Sequence, residues 1–362
     1  MMAPTSPEAL GRVGRFSLVR RIGAGGMGEI FLARDESGRE VAIKRLLREC
    51  AKDPVFIGMF LDEARLAESL EHPNICRVFE HGQDGQHYFL VMEHIDGPSL
   101  KELLARRGAG LPFPLASRIV AEVASGLDYA HRLTDPMGRS VGIVHRDVSP
   151  ANIMVARDGR VKIVDFGLAK ARTQLMKTQP GLVKGKFGYL APEQLGGQVD
   201  WRTDLFALGL CLYEALTAEQ LFGEKSAAET VQAIGRFSGP PPLAGHVPGV
   251  PAALDEVLRR ALSPEPTERF ESAAAFRAAL GQAVVQGGHG AVSAEALAHE
   301  VSRSSPTKHA SAPPPRLTAP ELGHAPSDAP PATGWPPWPL IGALGAAGIL
   351  VLLAGMLWWW LA

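Results

Sequence analysis

Residues 143–155 read IVHRDVSPANIMV, and residues 161–167 follow as VKIVDFG. In the first stretch, polar and reactive side chains sit between two apolar, strand-like runs, which places them on a loop at a domain surface. Asp147 can accept the proton of an attacking hydroxyl and orient it, and Asn152, five residues on, offers a neutral oxygen to a divalent cation. Asp165, thirteen residues beyond Asn152, adds a carboxylate for cations that bridge phosphates. Alone, each aspartate would be a turn residue. Their joint chemistry needs a phosphate-holding element elsewhere in the chain.

The residues before the loop supply one. Phe16 to Ile22 is an apolar-rich extended run ending in GAGGMG, Glu29 to Arg34 resumes the extended pattern, and after the turn-prone DESG comes EVAIKRL, a further strand. Gly23, Gly25 and Gly28 have a G-x-G-x-x-G spacing that also opens dinucleotide-binding folds. In such folds the loop opens a helix, and a Walker loop carries Lys-Ser/Thr after its last glycine, whereas here a strand follows. A strand-loop-strand arrangement fits a flap whose backbone N–H groups approach the phosphates of ATP. The flap and its flanks are Ile22, Gly23, Ala24, Gly25, Gly26, Met27, Gly28 and Ile30. Lys44 ends the apolar run Val-Ala-Ile beneath this flap, where its charge can neutralise the α- and β-phosphates. Such a lysine needs an acidic partner. Asp53 as N-cap and Pro54 at the first position open a helix with Phe56, Phe60, Ala64 and Ala67 at helical spacing, and His72-Pro73 should stop it. Glu63 edges the inward face of that helix, while Asp62 beside it is equally acidic and leaves a solvated Glu63 as the competing reading. YFLVMEHI makes another strand, then helical patterns run from Pro114 to His131 and from Asp204 to Leu216, the second apolar almost all round and so expected at the centre of a lobe. A β-rich front and an α-rich back predict an α+β chain with a cleft between two lobes.

With GAGGMGEI, VAIK, HRDVSPAN, DFG and APE on one chain, residues Phe16 to Gly281 resemble a bacterial eukaryotic-like (Hanks-type) serine/threonine protein kinase. The resemblance implies the two-lobed protein kinase fold, with an N-lobe over about 16–95 and a C-lobe over about 96–281, after an N-terminal extension over 1–15. It implies ATP and Mg2+ or Mn2+ as cofactors, with Ser/Thr hydroxyls of proteins as acceptors. It implies that Asp204 holds the catalytic-loop backbone and that Arg269 pairs with Glu193 of APE. Met92 becomes the gatekeeper, Glu93 to Ile95 the hinge that hydrogen-bonds adenine, and Ala42 and Met154 the residues that sandwich the base. Two departures stand out. Ser149 replaces the lysine usual two residues after the catalytic aspartate, and Gly185-Lys186 replaces the usual Gly-Thr before the YLAPE segment. Lys186 is a candidate to restore the missing positive charge. Thr178, and after it Thr173, are the expected autophosphorylation sites, with Arg146 and Lys170 as the cations that would clasp a phosphothreonine. A catalytically inactive pseudokinase scaffold and a small-molecule phosphotransferase of similar fold are the rival readings.

Composition bounds the rest. The 362 residues carry 46% hydrophobic and 21% charged residues with a formal net charge of -1, and no Lys/Arg run tracks a phosphate backbone, which excludes an electrostatic nucleic-acid binder. Cys50, Cys76 and Cys211 are too few and too far apart for a disulfide framework or zinc knuckle, and read as small apolar fillers. The N-terminus has neither signal-peptide nor ordinary transit-peptide character. Residues 282–338 are expected to form a disordered linker, with ten prolines from Pro306 to Pro337, a short helix around Ser293 to Val301 and a reach on the order of 40 Å. Residues 339–362 are expected to hold a transmembrane helix, since the 23 residues Leu340 to Ala362 carry no charge and Trp335, Trp338 and Trp358 to Trp360 flank the apolar run. Because ATP is cytosolic, the expected placement is a single-pass inner-membrane protein with its kinase domain in the cytoplasm and no external sensor after Ala362. Gly342 and Ala346, or Ala343 and Ala347, would let two such helices approach and bring two kinase domains together as a homodimer.

Overall fold

The computed structural model describes residues 11–25, 28–166, 187–223, 226–247 and 249–304. Its first half is an antiparallel sheet built from β1 (Arg12–Val13), β2 (Phe16–Ala24), β3 (Gly28–Arg34), β4 (Glu40–Leu46), β5 (Val78–Asp84) and β6 (His87–Glu93). The strand order is β1-β2-β3-β4-β6-β5. Alternation along β4 sorts its side chains: Val41 and Ile43 face one apolar cluster with Phe16, Leu18 and Phe89, while Ala42 and Leu46 face another with Leu90 and Met92. Helix α1 (Pro54–Glu68) covers that second face with Phe60, Ala64 and Ala67. The Asp53 side chain accepts from the Val55 N–H at its start, and the helix ends at Ser69, before His72-Pro73 as the proline predicts.

One boundary of the expected layout moves here. The extension over 1–15 ends inside the sheet, because β1 pairs with β2 and Val13 is 1% exposed. A two-residue strand has no periodicity to read.

The second half is helical. Helices α2 (Leu100–Arg107) and α3 (Phe113–His131) precede a small hairpin of β7 (Ile153–Val155) and β8 (Val161–Ile163). Then come α4 (Pro192–Leu195), α5 (Trp201–Thr217), α6 (Ala227–Gly235), α7 (Ala252–Ala261), α8 (Ala273–Gln286) and α9 (Ala294–Arg303). Every residue of α5 from Thr203 to Leu216 except Glu214 is buried, which is why its sequence is apolar all round. Each large side chain it buries, such as Phe206, Leu208 or Leu212, contributes about 1.5–3 kcal/mol of transfer free energy.

Helical structure continues past Gly281, where the linker was expected to begin. Helix α8 runs through Gly281 to Gln286, and α9 inserts Leu297 and Val301 into the core of the helical lobe. The glycines between them resemble a tether in composition only. A Cβ at Gly287 would lie 2.7 Å from the Phe113 ring, so that glycine is there for close packing. The Ser293 hydroxyl accepts from Ala296 N–H and starts the expected short helix. Among the described residues no helix is long and apolar enough to cross a membrane. Pro306 to Pro337 and Leu340 to Ala362 lie outside those residues.

Candidate active site

Strand β4 sets Lys44 opposite Ile30 on β3 and Leu90 on β6, 5% exposed. A buried ammonium needs compensating charge. It has two partners: Asp165 Oδ1 at 2.8 Å and Glu63 Oε1 at 3.3 Å. Burial works to lower the lysine's pKa, but the charges of Asp165 and then Glu63, with hydrogen bonds to both, hold it above the usual lysine value. The structure also separates the adjacent acids. Glu63's side chain is 3% exposed, whereas Asp62's is 78% exposed and pairs with Arg65 on the solvent side of α1.

The catalytic loop is held from below by α5. Asp204 Oδ2 accepts from the His145 N–H at 2.8 Å, and Oδ1 accepts from the Arg146 N–H at 2.7 Å. His131, at the end of α3, donates from Nε2 to the same Oδ2 at 2.8 Å. Burial raises the Asp204 pKa, but the hydrogen bond and charge of His131, with His145, hold it below the usual aspartate value. Those two backbone bonds fix Arg146 at φ 63°, a left-handed conformation costly for a side chain with a Cβ. His145, fully buried, accepts the Asp147 N–H at Nδ1 and therefore donates from Nε2 to the Val164 carbonyl at 3.0 Å. Asn152 donates from Nδ2 to the Asp147 carbonyl at 2.8 Å and to Asp147 Oδ2 at 2.5 Å. Its carbonyl accepts the Val164 N–H at 2.9 Å. Val164 directly precedes Asp165, itself left-handed at φ 63°. Glu63, Lys44, Asp165, Asn152 and Asp147 thus form one bonded constellation drawn from α1, β4, the segment after β8 and the catalytic loop.

The walls of the cleft come from both lobes. Ala42 and Met92 are buried beside one another in adjacent strands, in register as a pair. Met154 lies on β7, paired with Ser99. Glu93 ends β6 with its carboxylate 2.8 Å from the Lys162 ammonium, and Ile95 packs partly buried against the α1-side cluster. Of the flap, Ile22 is exposed, Gly23, Ala24 and Gly25 complete β2 and its turn, and Ile30 packs under the sheet. Gly28 has a packing reason of its own, since a Cβ there would lie 2.7 Å from the Arg45 carbonyl oxygen. Gly26, Met27, Lys170, Thr173, Thr178 and Lys186 lie outside the described residues. Ser149 is buried, 6% exposed, within the catalytic loop.

Behind Met92 a small pocket is lined by Glu63, Cys76, Leu90, Asp165 and Phe166. Burial, then the charge of Glu93, pushes the Cys76 thiol up to about 12, which leaves it an inert filler. Farther down the helical lobe, Arg269 binds Glu193 through two parallel hydrogen bonds of 2.7 and 2.8 Å. Sequence reading missed His131, Lys162 and Thr203, whose hydroxyl donates to Glu193 Oε1 at 2.9 Å. Thr203 stands in the polar first turn ahead of the apolar pattern and carried no such signal, while a His at a helix C-terminus was the signal for His131.

Comparison with known proteins agrees with this geometry. The family described as "Protein kinase domain" matches residues 16–278. The chain is 40% identical over 275 residues to the tyrosine-protein kinase MasK of Myxococcus xanthus, covering 74% of this chain and 42% of that protein. It is 37% identical over 279 residues to the serine/threonine-protein kinase PknJ of Mycobacterium tuberculosis, covering 75% of this chain and 46% of that one. The match thus spans less than half the length of these curated relatives. Among solved structures, the PknI kinase domain of Mycobacterium tuberculosis superposes with a TM-score of 0.57 at 30% identity, over 78% of this chain and 100% of the other.

Proposed function

The chain belongs to the protein kinase family, and on that premise we propose that it transfers the γ-phosphate of ATP to serine and threonine hydroxyls of proteins. The observation that carries this reading is the bonded constellation of Lys44, Asp165, Asn152 and Asp147, joined through Val164. Lys44 sits where a point charge can meet the α- and β-phosphates. Asp147, oriented by Asn152, takes the proton of the acceptor hydroxyl and aims its attack.

Asn152 and Asp165 fit Mg2+ or Mn2+. Both offer hard oxygens, and among the described residues no group of three or more His, Cys, Asp or Glu forms a self-sufficient metal cage. That donor set suits a cation that completes its shell with phosphate oxygens and water. The bound metal would neutralise charge developing on the transferred phosphoryl group. A loss of metal-dependent ATP binding in Asp165→Asn and its retention in Asp147→Asn would separate the two roles, and equal binding by both variants would refute them.

The wider reading is a membrane-anchored signalling enzyme: kinase domain in the cytoplasm, a proline-rich tether, and a single inner-membrane span at Leu340 to Ala362. The uncharged 23-residue stretch supports it. Recovery of the full chain in the soluble fraction of lysed cells would refute the span. Autophosphorylation at Thr178 or Thr173, in a homodimer, belongs to the same proposal. Phosphopeptide mapping that finds both threonines bare in active enzyme would remove it. Tyrosine is the second acceptor reading, supported by the name of the relative MasK and by Ser149 in place of the usual lysine. Phosphoamino-acid analysis of labelled product decides between the two.

A further inference from the structure

Helix α9 lies beyond the residues that the kinase family matches, yet it is seated as a core element. Leu297 and Val301 are both fully buried. Glu300, 5% exposed, ion-pairs with Arg107 at the end of α2. Arg118 of α3 donates to the Val292 carbonyl just ahead of the helix. The helix N-terminus then meets the turn between β7 and β8. A Cβ at Gly159 would lie 1.9 Å from the Ala294 carbonyl oxygen, so the α9 backbone occupies the space of the missing side chain. Gly159 also holds φ at +83°, which the tight turn requires.

The other side of the same hairpin carries the segment after β6. The Val155 N–H donates to the Pro98 carbonyl at 2.9 Å, and the Arg157 N–H donates to the Asp96 carbonyl at 2.8 Å. The Arg157 guanidinium pairs with Asp96 at 3.2 Å. A Cβ at Gly97 would lie 2.1 Å from the Val155 carbonyl oxygen. Backbone therefore touches backbone at two glycines, first Gly97 on β7 and then Gly159 on α9. No side chain at either contact can rotate to absorb a shift, and the chain of contacts runs from α9 to residues 96–98, directly after the 93–95 segment.

We propose that α9 is a positioning element for nucleotide binding: pressing on the β7–β8 turn through Gly159, and locked by Glu300 to Arg107, it sets the spacing between the 93–95 hinge and Met154. Neither Gly159 nor Glu300 belongs to the residues read as the adenine site. The proposal rests on the reading of those hinge residues and Met154 as the adenine site.

The test uses the full chain and a fluorescent ATP analogue, titrated against Gly159→Ala, Glu300→Gln and the control Gly138→Ala. Gly138 shares the left-handed backbone at φ +78° but has no atom within 4 Å of an added Cβ, so it reports backbone strain alone. The expected result is an analogue Kd raised roughly fivefold in Gly159→Ala and Glu300→Gln. Phosphate transfer at saturating ATP should stay near the parent rate, and Gly138→Ala should match the parent. Equal Kd values across all three variants would overturn the proposal. Melting curves identify any variant that fails to fold, and Glu300→Gln then decides alone. Were the parent chain to bind no analogue, the kinase reading would fall, while hydrogen exchange still judges the coupling. Exchange at residues 94–98 faster in Gly159→Ala than in Gly138→Ala supports it, and equal exchange ends it.

Discussion

Arg269→Ala should unfold the helical lobe early, by an amount that the burial of its partner sets. The Arg269 side chain is 0% exposed and Glu193's is 10% exposed. Besides its two bonds to Glu193, Arg269 donates to the carbonyls of Ser263 at 2.8 Å, Arg202 at 3.0 Å and Pro264 at 3.2 Å, and it stacks 4.7 Å over the Phe206 ring. Alanine removes all of these and leaves the Glu193 carboxylate in the interior with the Thr203 hydroxyl as its remaining side-chain donor in this network. Breaking one partner of a buried pair costs about 3–5 kcal/mol. For a domain of this size that is a Tm loss on the order of 10 °C. The assay is thermal unfolding of Arg269→Ala, Glu193→Gln and the double variant. Because the double variant leaves no orphaned charge, it should lie about 1–3 kcal/mol above the sum of the singles. A Tm loss below about 2 °C, or strict additivity, would refute the claim that this pair joins α4 to the segment before α8.

Three further outcomes follow from the same structure. Asp204 has its pKa held below the usual aspartate value, so its contribution to stability is present above that range and lost as pH falls through the lowered folded value. Asp204→Asn should therefore be less stable than the parent at neutral pH, and the gap should begin to close only as pH falls below about 4 and disappear below the lowered folded value; parallel curves would contradict this. Gly28→Ala forces the sheet open at the Arg45 carbonyl and should cost about 1–3 kcal/mol by chemical denaturation. Gly58→Ala, on α1 with nothing within 4 Å of the new Cβ, should instead stabilise by about 0.5–1 kcal/mol.

Much of the fold was legible because local chemistry and tertiary role coincide. The Asp53-Pro54 start, the glycine flap between strands and the all-apolar α5 each carry one signal with one structural answer. Glu63 was ambiguous beside Asp62 because one position of helical phase separates burial from solvent, and only packing against the sheet decides the phase. The end of the helical lobe was misplaced because the linker was read from its prolines, which begin only at Pro306, while α8 and α9 run to Arg303 across Gly287, Gly288 and Gly290. The packing that seats this turn, the Phe113 ring against Gly287, lies far away in sequence. The roles of His131 and Lys162 escaped for the same cause: their partners, Asp204 and Glu93, are distant along the chain and adjacent only in the fold.

The central claim is that Asp147, steered by Asn152 and joined through Val164 to Asp165 and Lys44, drives phosphoryl transfer. The direct measurement is transfer of label from γ-labelled ATP to protein by the full chain, beside Asp147→Asn and Lys44→Met. The account predicts label on Ser or Thr with the parent and a fall of roughly 100-fold or more with either variant, at unchanged Tm for Asp147→Asn. Equal labelling by parent and variants would contradict it, and so would a parent chain that binds ATP yet transfers nothing.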